Sequence, residues 1–257
     1  MGIVELPVDV GWAVGFLLAL IRVGAFVIAS PIIGRALPAM GRMAFAFAVS
    51  VAMTRPIPGL IELGDLVAAA GINVAVGAAL GWVSGLIMHL FSSAGAVADL
   101  VSGLSVSMVF DPMQGSQGGV FSRMFNLTAT TIFLVAGGMG LLVGGLVSSA
   151  TLLPVEAGLA PDPALGGYII ETANLMVRKA VELALPIMGV LLMMELALGL
   201  AARFAPQANI FLLGLPAKLL VSITVVGSAW VLFPDAMADA EALVARGMQA
   251  AIRGLGG

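Results

Sequence analysis

Residues 66–91 read LVAAAGINVAVGAALGWVSGLIMHLF, a run without one Asp, Glu, Lys or Arg. A membrane-crossing helix needs ~20 apolar residues, so this stretch alone is long enough to span a bilayer. Gly77, Gly81 and Gly85 recur in it at every fourth position. That spacing puts three missing side chains on one helix face. Such a face lets a second helix come very close, which marks it as a packing surface.

The rest of the chain repeats this character. Upstream lie Val10–Ile33, interrupted only by Arg22, and Met43–Met53, stopped by Arg55, Pro56 and Pro58. The second is short for a span and suits a tilted, buried or re-entrant helix. Downstream come Ala94–Val109 with Asp99, Met124–Leu153, Thr172–Leu200 and Ile210–Phe233. Residues 235–253 read as a short amphipathic helix, with Met237, Ala240, Val244, Met248, Ala251 and Leu255 on one face and Asp235, Asp239, Arg246 and Arg253 elsewhere. No strand alternation is sustained, so the expected fold is all-α and membrane-type.

Composition agrees. Of 257 residues 61% are hydrophobic and 10% charged, against about 25% charged in a soluble domain; the mean hydropathy is +1.14. Too few charges exist to cover a soluble surface, so the exterior must be buried in lipid or in other subunits. A net charge of −3 gives no basic footprint for nucleic acid. The absence of Cys excludes disulfides and thiolate metal sites, and His89 is the only His, so no His-metal cluster forms. His89 itself reads as an interfacial or hydrogen-bonded residue. Residues 1–9 carry Glu5 and Asp9 but no Lys or Arg, so the first apolar run is expected to be a retained helix, not a cleaved signal. With six spans starting outside, the inner loops hold Arg35, Arg42, Arg123 and Arg203 and the outer loops are acidic apart from Arg55, in keeping with the positive-inside rule.

The motifs of enzymes (a phosphate-binding loop, HExxH, a nucleophile elbow) are missing. No catalytic residue, metal or cofactor is expected. Arg22, Asp99, Glu182 and Glu195 lie within apolar runs, where a charge costs about 2.5–3.5 kcal/mol at mid-bilayer. Two functions fit them: an ion or proton relay, or pairing that fixes helix packing. Packing is the better reading, since isolated charges do not make a relay; Arg178 and Glu182, four apart, suit a pair on one helix. A polar, Gly-rich stretch then stands out: Phe110, Asp111, Pro112, Met113, Gln114, Gly115, Ser116, Gln117, Gly118 and Gly119. It must be a loop, and on its residues alone a surface connection. Met108, Met113 and Met124 bracket it with flexible apolar side chains of a kind that can seal a constriction.

Several fragments, taken in order, resemble one family. Ile21-Arg22-Val23 precedes Ser30-Pro31-Ile32, and Ala78-Ala79-Leu80-Gly81 follows. Gly103-Leu104-Ser105, Phe110-Asp111-Pro112 and Arg123 form the most distinctive stretch. Ala184-Leu185-Pro186-Ile187, Leu196–Leu200, Arg203–Gln207, Ile210-Phe211, Gly214 and Pro216 complete the pattern. The chain is thereby similar to the FliR family of flagellar type III export gate proteins, virulence counterparts included. The resemblance implies kinked, tilted helical hairpins forming one subunit of a helical export gate. It implies a FliP-like half over 1–150 and a FliQ-like half over 151–257. It implies FliP and FliQ as gate partners, FlhB and FlhA as neighbours, contact with membrane lipid, and unfolded flagellar subunits as cargo. Residues 110–119, with Met108, would plug the closed channel in the bacterial inner membrane at the flagellar basal body. Arg22, Asp99, Arg123, Glu182 and Glu195 would be buried charges that fix packing. Two positions depart from the pattern: Val101 replaces a frequent Gln, and Gly137-Gly138-Met139 replaces a triplet that often ends in His. The missing His argues against a proton carrier there. The rival functions are a stand-alone secondary transporter or ion channel using the buried charges, and a purely structural assembly nucleator.

Overall fold

The computed structural model describes residues 10–57, 63–104, 119–156, 163, 165–204 and 210–256, and every regular element among them is helical. The first apolar run divides in two. Helix α1 (Val10–Ala29) ends at Ser30, whose extended backbone precedes Pro31, and α2 (Pro31–Ala36) restarts at once with that proline in its first turn. The residue before a proline is driven out of the helical region, which sets this boundary. The same effect at Leu37, before Pro38, closes α2 and opens α3 (Ala39–Met53).

Helix α4 (Leu63–Ser102) is a single helix of 40 residues, where the sequence reading had separate runs at 66–91 and 94–109. Ser92 does not break it, because its hydroxyl donates to the His89 carbonyl of its own helix. The helix stops at Gly103, in the left-handed region at φ +84°. The opposite correction applies to 124–153. That run is two helices, α5 (Val120–Val135) and α6 (Gly138–Leu152), bent by 71°. Gly137, at φ +89°, makes the bend, in a conformation that residues with a Cβ rarely adopt.

Helix α7 (Leu165–Phe204) again has 40 residues, with Pro186 inside it. Helix α8 (Ile210–Ala229) leads through a 3₁₀ turn (Trp230–Leu232) into α9 (Phe233–Gly256). The buried face of α9 carries Met237, Ala240, Val244 and Met248, with Ala251 and Leu255 only half-buried towards its end, while Asp235, Asp239, Arg246 and Arg253 are exposed. Among the described residues four helical stretches are long and apolar enough to cross a membrane, five if the bent α5–α6 pair counts as one.

Two compact units are present. One comprises the chain to Leu86, Gly137–Thr172 and Ala242–Gly257; the other comprises Ile87–Ala136 and Ala173–Glu241. In the first, α3 folds back on α1, with the Ile57 amide donating to the Gly11 carbonyl and Phe47 edge-on to Phe16. The first part of α4 runs parallel to α1 along the glycine ladder. A Cβ at Gly81 would lie 2.7 Å from both the Ala29 Cβ and the Phe26 carbonyl oxygen, and one at Gly77 would collide with the Arg22 carbonyl. Gly85 is buried on the same helix. One turn beyond Gly81, Ser84 donates to the Ser30 hydroxyl. In the second unit, Phe91, Phe125 and Phe233 are buried and stack around Phe233 with ring centroids 5.1 and 4.9 Å apart.

Candidate functional site

The stretch singled out by sequence, Met108 and Phe110–Gly119, lies outside the described residues except for Gly119. The helices on either side of it are described in full. They form an antiparallel hairpin in the second unit. Met88, Ser92, Gly95 and Asp99 follow one another down a face of α4 at helical spacing. Against them α5 sets Phe121, Ser122, Asn126 and Thr130.

The contact is close and polar. A Cβ at Gly95 would lie 2.6 Å from the Ser122 Cα and 2.7 Å from the Phe121 carbonyl, so α5 passes directly over a glycine. The Ser122 hydroxyl donates to the Ser92 carbonyl at 2.9 Å, and Thr130 donates to the Met88 sulfur at 3.0 Å. At the end of the face, Asp99 is 2% exposed. Its two carboxylate oxygens accept the backbone N–H groups of Phe121 and Ser122, each at 2.9 Å. Those are among the first-turn donors that a helix leaves without internal partners. The residue at the N-cap of α5 is Gly119, which supplies no side chain to meet them. Asp99 does so from the neighbouring helix, and Gly119 leaves room: a Cβ there would strike the Asp99 carboxylate. On the other flank, Ser102 donates to the Asp99 carbonyl at 3.0 Å before Gly103 turns the chain out of α4.

The first unit holds a second polar centre. Arg22 is fully buried. Its Nε donates to Asn73 Oδ1 at 2.7 Å, and its Nη1 donates to Ser149 Oγ at 3.2 Å and the Leu153 carbonyl at 2.9 Å. Asn73 in turn donates to the carbonyls of Ala69 and Val155. One guanidinium thus ties α1, α4, α6 and the turn after α6.

The remaining predicted charges are placed differently. Arg123, Glu182 and Glu195 are expected as buried charges; among the described residues each is exposed on this chain. Glu182 pairs with Arg178 at 3.0 Å, as its spacing predicts, and also with Lys179. Lys179 reaches Asp239 at 2.8 Å, and Glu195 pairs with Lys218 across the α7–α8 hairpin at 2.8 Å. Among the described residues no cluster of His, Asp and Glu has the make-up of a metal site. An apolar cavity of about 280 Å³ in the first unit, lined by Ala79, Trp82, Val83, Tyr168, Thr172 and Gly247 among others, offers no chemistry beyond packing.

Sequence reasoning missed Asn73, Ser149 and Gly95. Asn73 had a signal, as the one amide in an otherwise apolar run. Gly95 had a weaker one, lying four residues before Asp99.

A family model described as bacterial export proteins, family 1, matches residues 13–242. The flagellar biosynthetic protein FliR of Bacillus subtilis is 30% identical over 213 residues, which cover 80% of this chain and 82% of that one. The FliR of Escherichia coli is 28% identical over 213 residues, covering 81% of each chain. The surface presentation of antigens protein SpaR of Shigella sonnei is 31% identical over 154 residues, covering 60% of this chain and 59% of that one.

Proposed function

The chain belongs to family 1 of the bacterial export proteins, and from that membership we propose that it is a non-enzymatic subunit of the flagellar type III protein export gate. Its place is the bacterial inner membrane, at the flagellar basal body. Its neighbours are FliP and FliQ in the gate, with FlhB and FlhA beside it, and its cargo is unfolded flagellar subunits. The halves 1–150 and 151–257 act as FliP-like and FliQ-like parts. Residues 110–119, with Met108, plug the closed channel.

One observation carries this reading. Helices α4 and α7 have 40 residues each, about 60 Å at 1.5 Å per residue, which is twice a hydrocarbon core of ~30 Å. Yet large apolar side chains are exposed along nearly the whole of α7, from Ile169 and Ile170 through Leu185 to Leu200 and Phe204. Lipid alone does not cover apolar helices of that length. Sibling subunits do, and the exposed faces of α7 are then interfaces. A stand-alone transporter would need free titratable groups. Asp99 and Arg22 are instead engaged in the hydrogen bonds described above.

The test is a deletion of Gly115–Gly118, which spares Gly119. The complex that co-purifies with the chain should keep its native mass, while cells carrying it leak ions through the closed gate. A native mass equal to the chain alone in detergent would overturn the subunit reading. Unchanged leakage in an intact complex would overturn the plug.

A further inference from the structure

We propose that Asp99 is the positioning residue of the plug: its carboxylate ties the start of α5 to the end of α4 and so fixes both points from which residues 105–118 depart. The inference rests on the plug reading for its functional meaning, but its geometry stands on described residues alone.

An ordinary helix start is capped by the residue at the N-cap itself, through an Asp, Asn, Ser or Thr side chain. Such a cap is local and says nothing about where the helix lies. Here the N-cap is Gly119 and the capping group comes from 20 residues earlier in the chain, on another helix. The same two hydrogen bonds that complete the first turn of α5 therefore also hold it against α4. The close pass over Gly95 and the Ser122 to Ser92 bond, one and two turns up α4, lock the register. Ser102 and Gly103 end α4 within a turn of Asp99. Asp99 thus stands between the exit at Gly103 and the return at Gly119.

Two roles must be separated, capping and tethering, and one pair of substitutions does so. Asp99→Asn keeps the size but leaves a single acceptor oxygen for two N–H groups. The double variant Asp99→Gly with Gly119→Asp moves the carboxylate to the ordinary capping position. The space for it is opened by removing the side chain that a Cβ at 119 would strike. That variant restores the cap and abolishes the tether.

The chain has no cysteine, so Leu100→Cys and Val120→Cys, both at exposed positions, carry spin labels across the hairpin base in the complete complex. The labels should report one narrow distance in the otherwise native protein. Asp99→Asn should broaden it. The double variant should keep it broad while the Phe121 and Ser122 amides recover slow hydrogen exchange. A distance that stays narrow in Asp99→Asn, or becomes narrow again in the double variant, overturns the assignment. Ion leakage through the closed gate is measured on the same samples. A broadened distance with unchanged leakage would sustain the tether and sink the plug reading.

Discussion

Replacing Arg22 by Ala should loosen the turn after α6 about a thousandfold. The guanidinium is fully buried and supplies hydrogen bonds to Asn73, Ser149 and Leu153. Without it, Ser149 still donates to Leu146 of its own helix, so that hydroxyl is not stranded. Asn73 Oδ1 and the Leu153 carbonyl lose the donors described here. A buried polar group left unsatisfied costs about 1–3 kcal/mol, and two cost about 2–6. A midpoint of about 4 kcal/mol corresponds to about a thousandfold in an opening equilibrium at ~1.4 kcal/mol per decade. Hydrogen exchange in the purified complex reads this directly, at the amides from Leu146 to Glu156. Arg22→Lys should fall between, since an ammonium on a flexible stem does not reach Asn73 and Leu153 in the fork geometry of a guanidinium. Asn73→Ala in the Arg22→Ala background should add much less than it does alone, as for residues in one network. Acceleration of less than tenfold in Arg22→Ala, or full additivity with Asn73→Ala, would refute the account of Arg22 as the clasp of the first unit.

Two further outcomes follow from glycine packing and from the exposed pairs. Gly81→Ala should destabilise the chain by about 1–3 kcal/mol through overpacking, because its Cβ meets the Phe26 carbonyl at 2.7 Å. Gly144→Ala, with nothing within 4 Å of its Cβ in the chain, should instead gain about 0.5–1 kcal/mol of helix stability; thermal midpoints of the purified chain in detergent compare the two, and equal effects would contradict the close approach of α1 and α4. Lys218→Glu should weaken the α7–α8 hairpin and Glu195→Lys in the same chain should restore it, as read by protease resistance; a double variant no better than the single would show that the pair is incidental.

The sequence disclosed the helical class, the ends set by proline and the buried face of α9, because each of these is local. Pro31 and Pro38 restrict the residue before them wherever they stand, and a 3.6-residue period needs no partner to be seen. It misplaced two breaks between helices for opposite physical reasons. Ser92 and Ser93 read as an interruption, but a serine hydroxyl satisfies itself on its own helix. Gly137 and Gly138 read as part of an apolar run, but one left-handed glycine is enough to turn the chain by 71°. The polar centres were half legible. Arg22 and Asp99 stand out as charges in apolar runs, yet what each one meets comes from far along the chain, 51 residues away for Asn73 and 22 for Phe121. Glu182 and Glu195 stand out in the same way but are exposed among the described residues. Composition does not distinguish a charge covered by its own chain from one left exposed on it.

That distinction bears on how the charges function. Arg22 and Asp99 carry opposite signs, and a charge in an apolar interior is most simply stabilised by a counter-charge. Neither uses the other. Arg22 rests on an amide oxygen, a hydroxyl and a carbonyl, and Asp99 on two backbone N–H groups at the positive end of a helix dipole. Each is hydrogen-bonded by neutral groups, and the Glu156 carboxylate adds a favourable charge to the surroundings of Arg22. A proton relay requires neighbouring groups that exchange protons in sequence, and carbonyls and helical N–H groups do not. What the two charges do instead is join elements remote in sequence: α1 to α4 and α6 in one unit, α4 to α5 in the other. In a chain with so few polar side chains, directional contacts of this kind supply what uniform apolar packing lacks, a unique register between helices. Between the end of α4 at Gly103 and the start of α5 at Gly119, that register is set at Asp99, whose carboxylate holds the first turn of α5.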